Sequence, residues 1–122
     1  MLIPFMISKI HRARVTGTDL DYYGSISIDE EIMEKAKLKE NQQVEVYDCT
    51  NGSRLTTYVI TAPRGSGEIV MNGAAAHLVN PDDIIIIVAY GLLEEEELDS
   101  RSSVILFMDH NNHIEKIVNG KI

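Results

Sequence analysis

The chain has 122 residues, of which 44% are hydrophobic and 25% are charged, and its formal net charge is −8. This size and composition are typical of one globular domain, so we predict a single domain over residues 1–122. The acidic balance argues against a nucleic-acid-binding protein, which needs clustered Lys and Arg side chains, and no apolar run approaches the ~20 residues of a membrane-spanning helix.

The N-terminal residues 1–7 are apolar, but they lack the basic lead and the small-residue cleavage site of a signal peptide. The single cysteine, Cys49, excludes an intrachain disulfide and fits a reducing compartment. These two observations predict a cytoplasmic protein.

The first predicted element is a strand from Ile3 to Val15. Its period-two pattern places Lys9 and His11 on the otherwise apolar side. A cation on that side needs an acidic partner or a ligand cavity, because burial of an unpaired charge is costly. The alternative is that Lys9 extends to the rim of the fold. We interpret His11 as a hydrogen-bonded structural histidine, and we predict no metal site because no His or Cys pair has ligand spacing.

The second feature is Gly24 followed directly by Ser25. Glycine tolerates positive φ and close approach, so this pair suits either an ordinary turn or a strained peptide bond beside a nucleophile. The stretch Ser27-Ile28-Asp29-Glu30 then matches a capping box before a short helix. The predicted apolar face of that helix consists of Ile32, Met33 and Ala36.

A predicted hairpin follows, with strands at Val44–Tyr47 and Arg54–Ala62 and a type I′ turn at Asn51-Gly52. On the second strand Arg54 and Tyr58 project to one side, while Thr57 projects to the other. Arg54 and Tyr58 therefore line one surface together. An exposed sheet face has the same alternation, so both interpretations stay open at this point.

The strand Glu68–Met71 leads into Asn72-Gly73-Ala74-Ala75-Ala76-His77, where small residues leave room for a ligand to contact backbone N–H groups. A plain alanine-rich helix start is the alternative. The β-branched run 84–88 indicates a buried strand, and segments 104–108 and 114–118 indicate a closing pair. Glu94 to Glu97 are interpreted as a solvated turn. Many short strands with little helix predict a closed β-barrel.

Four motifs occur in order and at matching spacing: Gly24-Ser25, Thr50-Asn51-Gly52 with an arginine two residues on, Thr57-Tyr58, and Asn72 to His77. Together they resemble the pyruvoyl-dependent aspartate 1-decarboxylases from about Lys9 to Val88. The tail beyond Leu98 carries no motif. The resemblance implies a mainly β fold, a double-psi β-barrel with short helices.

The resemblance also implies that the chain is a zymogen that cleaves itself between Gly24 and Ser25. The products are a small chain (residues 1–24) and a large chain (residues 25–122). The Ser25 hydroxyl attacks the carbonyl of Gly24, and Ser25 becomes a covalent pyruvoyl group, with Thr57 supporting the processing. No metal is implied.

In such a lyase the pyruvoyl group forms a Schiff base with L-aspartate and accepts the electrons released as CO2 leaves. The product, β-alanine, feeds pantothenate and coenzyme A biosynthesis. Tyr58 is the implied proton donor. The implied substrate-binding residues are Lys9, Arg54, Thr57, Gly73, Ala74 and Ala75. Supporting positions near the site are Tyr22, Asn72 and His11.

The implied assembly is a homotetramer with its sites between subunits. Whether maturation also needs a partner protein, a maturation factor, stays open. Two other functions are kept as hypotheses: a pyruvoyl decarboxylase for another amino acid, since only Arg54 and Lys9 point to a second carboxylate, and a non-catalytic double-psi barrel that acts as a binding module.

Overall fold

The structure is a computed structural model that describes residues 1–121. Within them the strands are β1 (Ile3–Arg14), β2 (Gly17–Asp19), β3 (Ser25–Asp29), β4 (Gln43–Asp48), β5 (Arg54–Ala62), β6 (Ile69–Asn72), β7 (Ile84–Leu93), β8 (Ser102–Met108) and β9 (Ile114–Lys121). The helix α1 spans Glu30–Ala36, and two 3₁₀ helices span Gly73–His77 and Glu95–Ser100. None of the helices in this part of the chain has the length and apolarity that a membrane crossing requires.

The strands form one curled sheet in the order β2-β6-β3-β5-β4-β7-β1-β8-β9. Three neighbouring pairs run parallel, namely β1 with β8, β2 with β6, and β3 with β5. Fully buried Ile, Val, Leu and Met side chains from these strands fill the interior. The predicted mainly β fold, a double-psi β-barrel with short helices, is confirmed.

Strand β1 changes its buried face partway along its length. Ile10 is fully buried, whereas Lys9 and His11 on the opposite side are half-buried. The register with β7 then shifts between Ile10 and Ala13, where Arg12 adopts φ 65°. Ala13 is again fully buried. An extra residue in a strand reverses which side chains face the core, so the prediction of one continuous apolar side that carries Lys9 and His11 is wrong.

The N-cap of helix α1 lies two residues later than the capping box predicts. Its N-cap is Asp29 rather than Ser27, and the Asp29 carboxylate accepts from the backbone N–H of Glu31 at 2.8 Å. The same carboxylate accepts from the amides of Gly65 at 3.0 Å and Gly67 at 2.8 Å. Burial raises the pKa of Asp29, but these three amides outweigh burial and hold the pKa below its usual value. The buried side chains of the helix are, as predicted, Ile32, Met33 and Ala36.

The predicted hairpin between β4 and β5 is confirmed, but its turn type is wrong. A type I′ turn needs positive φ at both central residues, and only Gly52 of the pair Asn51-Gly52 has it, at 81°. The connection is longer: the Asp48 amide donates to the Ser53 carbonyl, and the Gly52 amide donates to the Asp48 carbonyl. The Asp48 side chain accepts from the amides of Thr50 and Asn51 and so organises the loop.

A buried pair of carboxyl groups lies under this loop. Asp48 and Asp83 are 3% and 7% exposed, and Oδ2 of Asp48 has no ordinary hydrogen-bond donor. Burial, followed by the neighbouring carboxyl group of Asp83, raises the pKa of Asp48. Two neighbouring carboxyl groups are most stable when they share a proton.

Candidate active site

The Ser25 hydroxyl is held by two neighbouring groups at the start of β3. Ser25 is fully buried, whereas Gly24 is exposed. The hydroxyl oxygen accepts from Nδ2 of Asn72 at 3.0 Å and donates to the Tyr23 carbonyl at 3.2 Å. The same Asn72 nitrogen donates to the Ser27 hydroxyl at 2.9 Å, which uses the second hydrogen of its amide. The Ser25 hydroxyl is therefore fixed in position directly after the exposed Gly24.

Gly73 packs against Gly24 so closely that only glycine fits there. A Cβ at position 73 would lie 2.6 Å from the Gly24 Cα, 2.8 Å from its nitrogen and 3.2 Å from the Tyr22 carbonyl oxygen. Gly73 also has φ 70°, which side-chain-bearing residues rarely adopt. The predicted helical turn after Asn72 is a 3₁₀ helix in which Ala74 is exposed and Ala75 half-buried.

The parallel pairing of β3 with β5 brings Tyr58 close to Ser25. Ile26 is paired with Val59. Extending that register backwards by one residue, to the first residue of β3, sets Ser25 level with Tyr58. Partners at one level project to the same side of a sheet, so Tyr58, which is 37% exposed, shares a side with Ser25. Thr57 is half-buried on the other side, as predicted.

Arg54 lies on the side of Tyr58 but farther along β5. Four residues of strand separate them, which is about 13 Å. The guanidinium carbon of Arg54 lies 4.0 Å above the centre of the Tyr47 ring. The Tyr47 and Tyr90 hydroxyl oxygens are 3.1 Å apart, so one donates to the other. Arg54 forms no ion pair with any residue that the structure describes.

Lys9 occupies the same side of the sheet, three strands away from β5. It is paired with Val88, Val88 with Glu45, and Glu45 with Thr56. Three strand spacings amount to about 14 Å. Both oxygens of Glu45 accept from the Thr56 hydroxyl, at 3.0 and 2.8 Å. Like Arg54, Lys9 has no ion-pair partner within residues 1–121.

His11 differs from its prediction. Its Nδ1 is buried without a hydrogen-bond partner, so the predicted hydrogen-bonded histidine is wrong. The ring packs edge-on against Phe107 with centroids 5.4 Å apart. Burial lowers the pKa of His11, and the charges of Lys9 and Arg12 lower it further, so the ring is neutral at pH 7.

Tyr22 is 49% exposed and packs edge-on against Tyr23. Its side chain lines a surface cleft of about 260 Å³ together with Ser27, Ile60 and Asn72. A larger groove of about 660 Å³ lies between α1, the loop 65–67 and the segment 111–117, and it contains none of the predicted site residues. Of the predicted site residues, Tyr22 and Asn72 line the smaller cleft, and Ser25 does not line it.

The predicted site thus divides into two groups. Gly24, Ser25, Asn72 and Gly73 are in direct contact, with Tyr58 on the strand beside Ser25, whereas Lys9, His11 and Arg54 lie on a different part of the sheet. Sequence reasoning missed Ser27, Tyr47 and Tyr90. Period-two spacing from Ser25 identifies Ser27, and the register of the hairpin pairs Tyr47 with Arg54, but no local signal identifies Tyr90.

No group of three or more His, Cys, Asp or Glu side chains suited to a metal ion occurs between residues 1 and 121.

Comparison with known proteins gives a clear relationship. A family model described as aspartate decarboxylase matches residues 1–115. The aspartate 1-decarboxylase of Acetivibrio thermocellus is 52% identical over 121 residues, which cover 99% of this chain and 94% of the relative. That of Caldicellulosiruptor saccharolyticus is 53% identical over 119 residues, which cover 98% and 93% respectively. The chain belongs to the aspartate decarboxylase family.

Proposed function

We propose that this chain is an aspartate 1-decarboxylase, a carboxy-lyase that converts L-aspartate to β-alanine and CO2 for pantothenate and coenzyme A biosynthesis. The observation that carries the proposal is the buried Ser25 hydroxyl, which Asn72 holds beside a Gly24 packed against Gly73. A cytoplasmic location belongs to the proposal and agrees with the single cysteine.

The first step is self-cleavage at the Gly24-Ser25 bond. The Ser25 oxygen bonds to the Gly24 carbonyl carbon, the C–N bond breaks, and the proton passes from that oxygen to the released Ser25 nitrogen. Elimination across the Cα–Cβ bond of residue 25 then frees the Gly24 carboxylate. Water finally replaces the nitrogen of residue 25, which leaves as ammonia. Thr57, which directly precedes Tyr58 on β5, is the hydroxyl assigned to support the developing oxyanion.

The residues around Ser25 fit the pyruvoyl group that this cleavage produces. Asn72 already donates to the Ser25 oxygen at 3.0 Å, and the backbone of Gly73 lies directly against that of Gly24 at the bond to be cleaved. The pyruvoyl group supplies the electron-accepting carbonyls that a decarboxylation needs. Tyr58 lies level with Ser25 on the same side of the sheet, where its hydroxyl can donate a proton to the former α-carbon.

Substrate binding is assigned to Lys9 and Arg54 for the carboxylates, and to Thr57, Gly73, Ala74 and Ala75 near the pyruvoyl group. Measured along the sheet, Arg54 is about 14 Å from Ser25 within one chain, and Lys9 is four strands, about 19 Å, away. Neither cation is therefore on the part of the sheet that neighbours Ser25. This separation supports a homotetramer in which the Lys9–Arg54 face of one copy covers Ser25 of another.

The central experiment is the mass of the denatured protein. Cleavage gives residues 1–24 and a pyruvoyl-terminated chain of residues 25–122. One intact mass that persists after heating, and in the presence of a host extract, contradicts the proposal and favours a non-catalytic barrel. Cleavage that occurs only with the extract indicates a maturation factor.

The substrate is tested by comparing turnover of aspartate and glutamate by the cleaved protein. A cation pair that binds a second carboxylate at a fixed distance predicts a strong preference for aspartate. Equal or faster turnover of another amino acid favours a pyruvoyl decarboxylase with a different substrate.

The shared site is tested by mixing two defective variants, Ser25→Ala and the double variant Lys9→Ala/Arg54→Ala, during refolding or coexpression. In mixed oligomers about one quarter of the sites combine an intact Ser25 with intact cations from a neighbour. Activity that recovers towards a quarter of the wild-type value supports sites between subunits. No recovery, or a monomer in light scattering, contradicts them.

A further inference from the structure

Arg54 is an exposed arginine whose guanidinium contacts an aromatic ring but forms no hydrogen bond within residues 1–121. Its guanidinium carbon lies over the Tyr47 ring, 4.0 Å from the ring centre, which is a cation–π contact. Stacking fixes the plane of a guanidinium but leaves its N–H groups at the edge unused. Arg54 makes no side-chain hydrogen bond to any residue from 1 to 121. Its N–H donors therefore have no partner within residues 1–121 and are available to a ligand.

The Tyr47 ring is itself held in place. Its hydroxyl lies 3.1 Å from that of Tyr90, which comes from β7 on the far side of β4. The hydrogen bond with Tyr47, assisted by burial, raises the pKa of Tyr90, so this hydroxyl stays protonated at neutral pH. The two tyrosines thus form one fixed support for Arg54 that spans two neighbouring strands.

The carboxylate of Glu45 is kept away from Arg54. Glu45 lies two residues before Tyr47 on β4 and projects to the same side. Both of its oxygens accept from the Thr56 hydroxyl, at 3.0 and 2.8 Å. An acidic side chain on this face would otherwise pair with the guanidinium and compete with an anionic ligand.

We propose that Tyr47, Tyr90 and Thr56 are positioning residues that present Arg54 to a carboxylate of the substrate. The tyrosine pair sets the plane of the guanidinium, and Thr56 holds Glu45 so that the N–H groups stay free. The ligand class is a small dicarboxylate, one end of which binds in the plane of Arg54. This inference rests on the proposed function, since it assigns a partner to Arg54.

Binding of succinate, a dicarboxylate that cannot be decarboxylated by this chemistry, tests the proposal separately from turnover. Tyr47→Leu is expected to weaken succinate binding and to raise KM for aspartate by about 5-fold, from loss of the cation–π contact, while kcat changes by less than about 2-fold. Tyr47→Phe keeps the ring and is expected to restore most of the loss. Tyr90→Phe removes only one hydroxyl and is expected to raise KM by about 2-fold.

Two comparisons separate positioning from general damage. In an Arg54→Ala background, Tyr47→Leu is expected to have no further effect, because the residue it supports is gone. Thr56→Val, which releases Glu45, is expected to raise KM by about 3-fold, and the added change Glu45→Gln is expected to reverse that rise. Equal effects of Tyr47→Leu with and without Arg54, or wild-type succinate binding by Tyr47→Leu, overturn the inference.

The proposed function fails in a different way. If the wild-type protein releases no CO2 from aspartate while succinate binding still depends on Tyr47 and Arg54, then the decarboxylase proposal is wrong and the positioning of Arg54 stands. If CO2 is released and succinate binding does not depend on Tyr47, then only the proposed positioning of Arg54 is wrong.

Discussion

The surroundings of Ser25 and the outer face that carries Lys9 and Arg54 differ in how completely a single chain builds them. Ser25 is fully buried, and its hydroxyl is bonded within the chain. Lys9 and Arg54 carry charges without ion-pair partners among residues 1–121. Under the proposed function, the covalent chemistry is prepared within one chain, whereas recognition of the acidic substrate uses a surface that we propose another copy covers.

The largest expected effect comes from removing the nucleophile. Ser25→Ala is expected to abolish both chain cleavage and decarboxylation, because both depend on the same oxygen. The matched control is Ser27→Ala, which also loses a hydroxyl that Asn72 contacts but leaves the reacting atom in place. Denatured mass and CO2 release measure the two outcomes. A cleaved Ser25→Ala protein would contradict the mechanism.

The close contact of Gly73 with Gly24 is tested by a pair of glycine substitutions. Gly73→Ala places a Cβ 2.6 Å from the Gly24 Cα, so cleavage is expected to slow by at least about 100-fold or to stop. Gly65→Ala is the control, because Gly65 has φ 80° but nothing within 4 Å of the added carbon. Both variants carry the backbone cost of about 1–2 kcal/mol. Similar cleavage rates for the two would mean that the contact with Gly24 is unimportant.

Tyr58 and Arg54 share one side of β5, but their substitutions are expected to affect different kinetic constants, kcat for Tyr58 and KM for Arg54. Tyr58→Phe should cleave normally but reduce kcat by about 100-fold, as expected for loss of a proton donor. Arg54→Ala should cleave normally and raise KM by about 10-fold or more, since it loses a charged hydrogen-bonding partner of the substrate. Steady-state kinetics on fully cleaved protein separates the two. A dominant KM effect in Tyr58→Phe would assign the proton donor elsewhere.

The smallest expected effect concerns the buried carboxyl pair beneath the loop that leads into Arg54. The pKa of Asp48 is raised from 3.8 in the folded state. The folded protein therefore holds a proton that the unfolded chain releases, so the stability from this pair is present below pH 3.8 and is lost as pH rises through the raised pKa.

Asp48→Asn imitates the protonated acid at every pH. We expect it to raise the stability by about 1 kcal/mol at neutral pH and to give no gain near pH 4, as measured by thermal unfolding between pH 4 and 8. The control Asp99→Asn, on an exposed 3₁₀ helix, should show no such pH dependence. A gain in Asp48→Asn that does not change with pH would contradict the shared proton.

Much of the fold could be predicted because the signals are local. The strand Arg54–Ala62 has the predicted bounds, and its alternation correctly separates Thr57 from Arg54 and Tyr58. The face of β1 could not be predicted, because the change of side at Arg12 depends on pairing with β7, which is distant in sequence. The helix cap was misassigned for a similar reason: Asp29 is favoured by the amides of Gly65 and Gly67, whereas Ser27 is held by Asn72.

The sequence motifs identified the residues of the candidate site, and the structure shows which of them lie together. The contact between Gly73 and Gly24 joins segments nearly fifty residues apart and has no local signature. Nδ1 of His11 is buried without a hydrogen-bond partner, and the His11 ring packs against Phe107 from a strand that is distant in sequence. The local sequence around His11 carries no signal for either. The roles of the individual residues in catalysis remain predictions that the variants above can decide.

The position of β1 has a consequence for the mature protein. This strand lies inside the sheet, between β7 and β8, and it belongs to residues 1–24. After the proposed cleavage, the barrel contains an inner strand that is a separate polypeptide, retained only by hydrogen bonds and packing. Unfolding is then also a dissociation, so the midpoint temperature should rise with protein concentration. A denatured mature enzyme must recapture its own fragment to refold, a requirement that the uncleaved precursor does not have.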